Sequence, residues 1–208
     1  MPKLLYVFFS LIIVTLAVSC SQTTSIKTGK KLLADGRYLS SHEGFVNSPD
    51  YLRTGDVWYH DSRIRSATVD NSQIEISLSK QRGLLKVNNK VAMDFPVCTG
   101  KHTYETPRGS FKITQKVEEY QSHTYGRLFD KNGVCINGDA RCTDSRPAGG
   151  KFVGAVLPLW MRIHGGVGFH VGEVYRDARS HGCIRVPIEP CSLLFKHCDV
   201  GTKVVIHN

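Results

Sequence analysis

Ile74-Glu75-Ile76-Ser77-Leu78, followed by Leu84-Leu85-Lys86-Val87-Asn88-Asn89-Lys90-Val91, is the stretch whose pattern decides the fold. In its first half apolar and polar residues alternate with a period of two, which turns one face of a strand to a core and the other to water. Asn88-Asn89 falls between two apolar runs, where asparagine tolerates the backbone of a tight hairpin turn. The run from Val91 to Val97 is then the returning strand.

The same reading extends outward from this hairpin. Thr106-Pro107-Arg108-Gly109 is a turn, after which Phe111, Ile113 and Val117 form another strand. Leu157 to Ile163, Val167 to Val171 and Lys203 to Ile206 read as further strands. Pro190 opens a helix through Leu193, Leu194 and Phe195, and Gly201 closes it. Residues 118–156 hold Gly and Asp repeatedly and few apolar pairs, so they read as a long connection, either a lid or a solvent-exposed insertion. The sum is a mainly β domain over residues 73–208 with one or two short helices and no internal repeat. Residues 37–72 carry no pattern that assigns them.

The N-terminus has the form of an export signal over residues 1–19: Lys3, an apolar run from Leu4 to Val18 broken by Ser10 and Thr15, then Ser19 and Cys20. The run is shorter than the ~20 residues of a membrane span, and a polar segment follows it. Ala17-Val18-Ser19-Cys20 resembles a bacterial lipobox, which makes Cys20 the expected lipidation site and the membrane a partner through that lipid. Ordinary cleavage after the small residues is the alternative. Either way the chain is expected outside the cytoplasm, in the envelope or periplasm, with residues 20–36 as a polar, basic tether.

The chain has 208 residues, 27 Lys and Arg against 18 Asp and Glu, a net charge of +9, and 41% hydrophobic residues. This composition excludes wholesale disorder, collagen and coiled coil. The charge asks for an anionic partner: nucleic acid, a membrane face or a wall polymer. Nucleic acid is disfavoured by the export signal and by the lack of a basic-aromatic array.

Besides Cys20 there are cysteines at 98, 135, 142, 183, 191 and 198, in a compartment where disulfides persist. Cys135 and Cys142 bracket a Gly- and Asp-containing loop and form the expected pair. Cys191 and Cys198 lie two turns apart on the helix, about 10 Å, too far to bridge, and read as buried thiols.

The chemistry is concentrated between residues 160 and 187. In Ser180-His181-Gly182-Cys183-Ile184-Arg185 a glycine precedes the cysteine, so the turn can expose the sulfur together with its own amide. His170, thirteen residues upstream, ends an apolar strand and can meet that thiol. An imidazolium beside a cysteine lowers the thiol pKa and yields a nucleophilic thiolate.

Trp160-Met161-Arg162, Gly166-Val167-Gly168-Phe169-His170-Val171-Gly172 and Ser180-His181-Gly182-Cys183-Ile184-Arg185-Val186-Pro187 resemble the signature of L,D-transpeptidases, the YkuD-type catalytic domain. Pro96-Val97-Cys98-Thr99-Gly100-Lys101 and Thr106-Pro107-Arg108-Gly109-Ser110-Phe111 are similar to the first half of that family, so the resemblance spans about 74 to 207. It implies a sandwich-like β domain that cuts the bond between diaminopimelate and D-Ala in a peptidoglycan stem peptide, with no cofactor. On that resemblance Cys183 is the nucleophile and His170 the base, oriented by the carbonyl of Val171. The amides of Gly182 and Cys183, with His181, are candidate oxyanion groups. Arg185 is a candidate carboxylate grip, and Ser180 and Trp160 are candidate substrate contacts, although turn support is the plainer role for Ser180 and core packing for Trp160. The acceptor is open: an amine gives cross-linking, protein attachment or exchange, and water gives carboxypeptidase or endopeptidase activity. Carbapenems are expected inhibitors.

Two departures bear on the site. Cys98 stands where a serine is commoner in the family, which brings a second thiol near the site. His164 competes with His170, whose flanking glycines align better; His164 is then a strand residue with a structural hydrogen bond. Two rival readings have little support. A metal centre lacks paired Cys or His spacing, and a non-catalytic wall-binding lipoprotein leaves the His170 and Cys183 motifs unexplained.

Overall fold

The computed structural model describes residues 31–32, 38–39, 41–175 and 177–208. The export signal, Cys20 and most of the expected tether lie outside these residues. In chain order the elements are β1 (Lys31–Leu32), β2 (Tyr38–Leu39), α1 (His42–Val46), β3 (Trp58–Tyr59), α2 (Asp61–Arg65), β4 (Ser72–Ser77), β5 (Arg82–Val87) and β6 (Lys90–Pro96). A 3₁₀ turn at His102–Tyr104 precedes β7 (Gly109–Lys112), β8 (Gln115–Phe129), β9 (Cys135–Arg141), β10 (Lys151–His164), β11 (Val167–Val171), β12 (Ile184–Val186), α3 (Ile188–His197) and β13 (Lys203–His207).

The domain is mainly β and built from two sheets. One has six strands in the order β3-β6-β5-β4-β13-β7, the other five in the order β12-β11-β10-β8-β9. The hairpin read from the sequence is present: β5 and β6 pair from Val87↔Lys90 to Arg82↔Pro96. Asn88 and Asn89 take φ of 49° and 59°, the left-handed pair that a two-residue turn requires. The alternation in β4 sends Ile74 and Ile76 into the core. There they meet Leu85, Met93 and Phe95 of the same sheet, Met161, Phe169, Ile184 and Val186 of the other, and Cys191 and Leu194 of α3 in one apolar cluster.

Four sequence expectations change. Residues 118–156 are not an irregular connection: they form most of β8, all of β9 and the first part of β10, a ribbon running out from the five-stranded sheet. Cys135 and Cys142 are not paired. They lie at opposite ends of β9, where Cys135 faces Phe129 and Cys142 bonds to Thr124. Seven residues of strand separate them by roughly 23 Å, far beyond a disulfide's reach. The helix α3 starts at Ile188, before Pro190, and ends at His197, before Gly201. Proline is tolerated there because the first turn's N–H groups have no intrahelical acceptor. Residues 41–70 pack on the domain: β3 extends the six-stranded sheet, and Phe45, Trp58 and Ile64 are buried.

Candidate active site

Strand alternation builds the site. β11 and β12 run parallel with Phe169 opposite Ile184 and His170 opposite Arg185. Phe169, Ile184 and Val186 are fully buried in the core. The opposite face therefore carries His170, Arg185 and, one step before β12, Cys183. His170, Cys183 and Arg185 all line one cavity of about 470 Å³, together with Arg162, His181 and the ribbon residue Tyr125.

The loop bearing Cys183 is held from behind. Ser180 and Arg185 make backbone hydrogen bonds to the segment from Cys98 to Lys101. Thr106 Oγ1 donates to the Gly182 carbonyl at 2.8 Å and accepts from Gly100 N at 2.9 Å. A Cβ on Gly100 would lie 2.8 Å from Gly182 Cα, and Gly182 itself has φ +103°. Both positions thus require glycine, one for close approach and one for backbone sign.

His170 is 7% exposed, and its Nδ1 lies 2.9 Å from the Val171 carbonyl oxygen. A carbonyl only accepts, so Nδ1 carries the proton and Nε2 is left as the acceptor. Burial lowers the His170 pKa from 6.5 to about 4, opposed by the bond to Val171 and assisted by the charge of Arg185. Burial also pushes the Cys183 thiol up, against the lowering influence of the Gly168 backbone, Arg185 and Arg162. Burial thus favours the neutral form of both the imidazole and the thiol. Cys183 Sγ contacts the Gly166 carbonyl oxygen at 3.6 Å.

Other expected residues are redistributed. The Gly182 amide donates to Ser180 Oγ at 3.1 Å, so it is not available as an oxyanion donor. The Cys183 amide donates to no group among the described residues. Ser180 is buried and its hydroxyl donates to the Cys183 carbonyl at 2.5 Å, which makes it turn support, not a substrate contact. Trp160 is 1% exposed and cannot present a surface to substrate. It lies beneath the site, stacked on Tyr120 at 5.0 Å and 6.4 Å from the His170 ring. Arg185 is half-buried, and its guanidinium makes no hydrogen bond or ion pair among the described residues. His181 packs between Tyr104 and Tyr125. The His164 side chain is exposed against Phe111 and makes no hydrogen bond among the described residues. Cys98 is buried with Sγ 3.4 Å from the Asp177 carbonyl oxygen, and it does not line the cavity. Burial pushes Cys191 and Cys198 up to about 12.

Sequence reasoning missed Arg162 as a constructive element. It reaches Gln115 at 2.9 Å, the Gly165 carbonyl at 2.5 Å and the Tyr120 hydroxyl at 3.3 Å, tying the turn beside Cys183 to β8. Its place in Trp160-Met161-Arg162 was visible, but its partners are distant in sequence. No group of three or more His, Cys, Asp or Glu among the described residues is arranged to hold a metal.

No curated protein matches the chain. Among solved structures it is similar to an L,D-transpeptidase from Mycobacterium smegmatis, at 18% identity and a TM-score of 0.51, covering 66% of this chain and 59% of that one. It is also similar to L,D-transpeptidase 3 from Mycobacterium tuberculosis, solved with a faropenem-derived adduct, at 16% identity and a TM-score of 0.51, covering 66% of this chain and 60% of that one. The match thus spans less than two thirds of either structure, and at these identities the likeness is one of fold. Residues 71–206 match the model of the YkuD family, described as the L,D-transpeptidase catalytic domain. That stretch holds the two-sheet body, the cavity and the loop of Cys183, and the chain belongs to the YkuD family of L,D-transpeptidase catalytic domains.

Proposed function

We propose that this protein is a peptidoglycan L,D-transpeptidase in which Cys183 is the nucleophile and His170 the general base. Cys183 Sγ attacks the diaminopimelate carbonyl while its proton passes to His170 Nε2. A sulfur–carbon bond forms, the carbon–nitrogen bond to D-Ala breaks, and His170 returns the proton to the leaving amine. An amine acceptor, deprotonated by the same imidazole, then attacks the thioester and regenerates the thiol. The Cys183 amide is the backbone donor for the oxyanion. Arg185 grips a stem carboxylate with its planar fork. Export to the envelope and attachment through lipid on Cys20 belong to the same proposal.

The observation that carries this reading is the Nδ1 bond of His170 to Val171, which leaves Nε2 as a base in the cavity that Cys183 also lines. It is tested by intact-protein mass spectrometry after incubation with purified tetrapeptide muropeptide, comparing the native protein with Cys183→Ala. The expected result is an acyl adduct with release of D-Ala, absent from Cys183→Ala. A dimeric product identifies transpeptidation, and a tripeptide product would instead assign hydrolysis. No adduct from folded protein with a titratable thiol would overturn the proposal.

A further inference from the structure

Charge in the cavity is one-sided. Of the side chains that line it, Arg162 and Arg185 carry a fixed charge, and no Asp or Glu among the described residues lines it. The arginine ion pairs of the described residues belong to Arg82, Arg108 and Arg179, so neither guanidinium in the cavity has a carboxylate partner. Asp139, whose Oδ1 lies 3.4 Å from His181 Nε2, does not line the cavity. Two like charges in one partly desolvated space destabilise the empty site, and a bound anion relieves that cost.

Both arginines are held in place. The Arg162 guanidinium donates to Gln115, to the Gly165 carbonyl and to the Tyr120 hydroxyl, and it lies over the rings of Tyr120 and Trp160 at 5.5 and 5.6 Å. An arginine has five N–H groups, so part of its fork is left for a ligand. The backbone of Arg185 is bonded in both directions to Cys98, at 3.0 and 3.1 Å. A Cβ on Gly172 would lie 3.1 Å from Arg185 Cγ, so that glycine leaves room for the arginine stem while the guanidinium stays unpaired. Fixed donors bind at a lower entropic cost than mobile ones. Both charges also act to lower the Cys183 thiol pKa, which places them beside the reacting sulfur.

We propose that Arg162 and Arg185 together are specificity-determining residues that read a free carboxylate next to the scissile bond, so that the site takes stem peptides carrying that carboxylate and rejects those in which it is amidated. Arg185 thus does not act alone, and Arg162 both builds the turn and reads the substrate. The inference rests on the transpeptidase reading for the identity of the peptide. Two groups supply the same chemistry: the side-chain carboxylate of diaminopimelate and the terminal carboxylate of D-Ala. Amidation of either removes the charge and leaves the guanidiniums unmatched, the situation in which a polar site discriminates most strongly.

Equilibrium binding to the full chain carrying Cys183→Ala, which lacks the thiol, tests this with three purified tetrapeptide muropeptides: both carboxylates free, the diaminopimelate side chain amidated, and the D-Ala terminus amidated. One amidated form is expected to bind about tenfold more weakly than the free form, the scale of losing a hydrogen bond between charged groups, and which one it is identifies the carboxylate that is read. Adding Arg185→Gln should reduce that preference to within threefold, and Arg185→Lys should retain part of it. Arg162→Gln should reduce it as well. The readout is a ratio between peptides on one variant, so a general loosening of the turn cancels. Affinities within twofold for all three peptides, binding of none of them, or a preference unchanged in both glutamine variants would overturn the inference. A preference in the Cys183→Ala protein, with no acyl adduct on the native one, would support the carboxylate site and overturn the transpeptidase reading instead.

Discussion

At the residue scale, burial sets the chemistry of the site. A histidine near its ordinary 6.5 would share protons with a thiol at neutral pH, but His170 is held at about 4 by burial and by Arg185. It is unprotonated throughout the neutral range, and in the proposed mechanism it accepts the proton that burial favours on Cys183. The acid limb of kcat/KM is therefore expected near pH 4 instead of 6.5, and a limb at 6.5 would show that the ring is solvated in the working enzyme. The same shift is a stability term. Below 6.5 the unfolded histidine takes up a proton that the folded one refuses until about 4, so stability present above 6.5 is lost as pH falls through that window. The contribution is about 3 kcal/mol at full expression and is read from urea midpoints at pH 7 and pH 4. His181 and His197 are also lowered by burial and act in the same direction.

At the scale of elements, the contrast between two hairpins shows what a sequence can reveal. The β5–β6 turn was legible because apolar alternation and left-handed asparagines point to one geometry. The ribbon was not: strands exposed on both faces need no apolar period, and β9 has one buried residue, Ala140. The same limit applies within the site. Cys183 and His170, the proposed nucleophile and base, could be singled out because the chemistry dictates their types, whereas the places of Ser180 and Gly182 depend on hydrogen bonds made as the Cys98 to Thr106 segment closes on the loop. The unpaired cysteines of β9 follow from its extension. Peptide mapping of unreduced protein, with free thiols blocked before digestion, is expected to recover Cys135 and Cys142 both modified. A 135–142 bridge would require β9 to fold back on itself and abandon its pairing with β8.

At the scale of the whole molecule, the family match begins at residue 71, yet residues 41–70 are secured to the sheet through a buried charge. Asp94, fully buried on β6, accepts from Arg82 Nε and an Arg82 terminal nitrogen at 2.9 and 2.7 Å. Its other oxygen meets His42 at 2.7 Å and the Tyr51 hydroxyl at 2.8 Å. Arg82 in turn donates to the carbonyls of Thr54 and Asp56, and its guanidinium lies over the rings of Phe45 and Tyr51. Two adjacent strands thus supply an ion pair whose remaining bonding capacity is filled by the N-terminal segment. A buried pair adds little when compared with apolar residues of the same shape, but removing one partner strands the other charge and costs about 3–5 kcal/mol. Asp94→Ala is therefore expected to lower the urea-unfolding free energy by that amount and to expose the 41–59 segment to limited proteolysis. Arg82→Met with Asp94→Leu should recover much of the stability while leaving the segment more easily cleaved, because its hydrogen bonds to Arg82 and Asp94 would still be missing. Equal protease resistance in the native and double-variant proteins would show that the segment is held by Phe45, Trp58 and Ile64 alone.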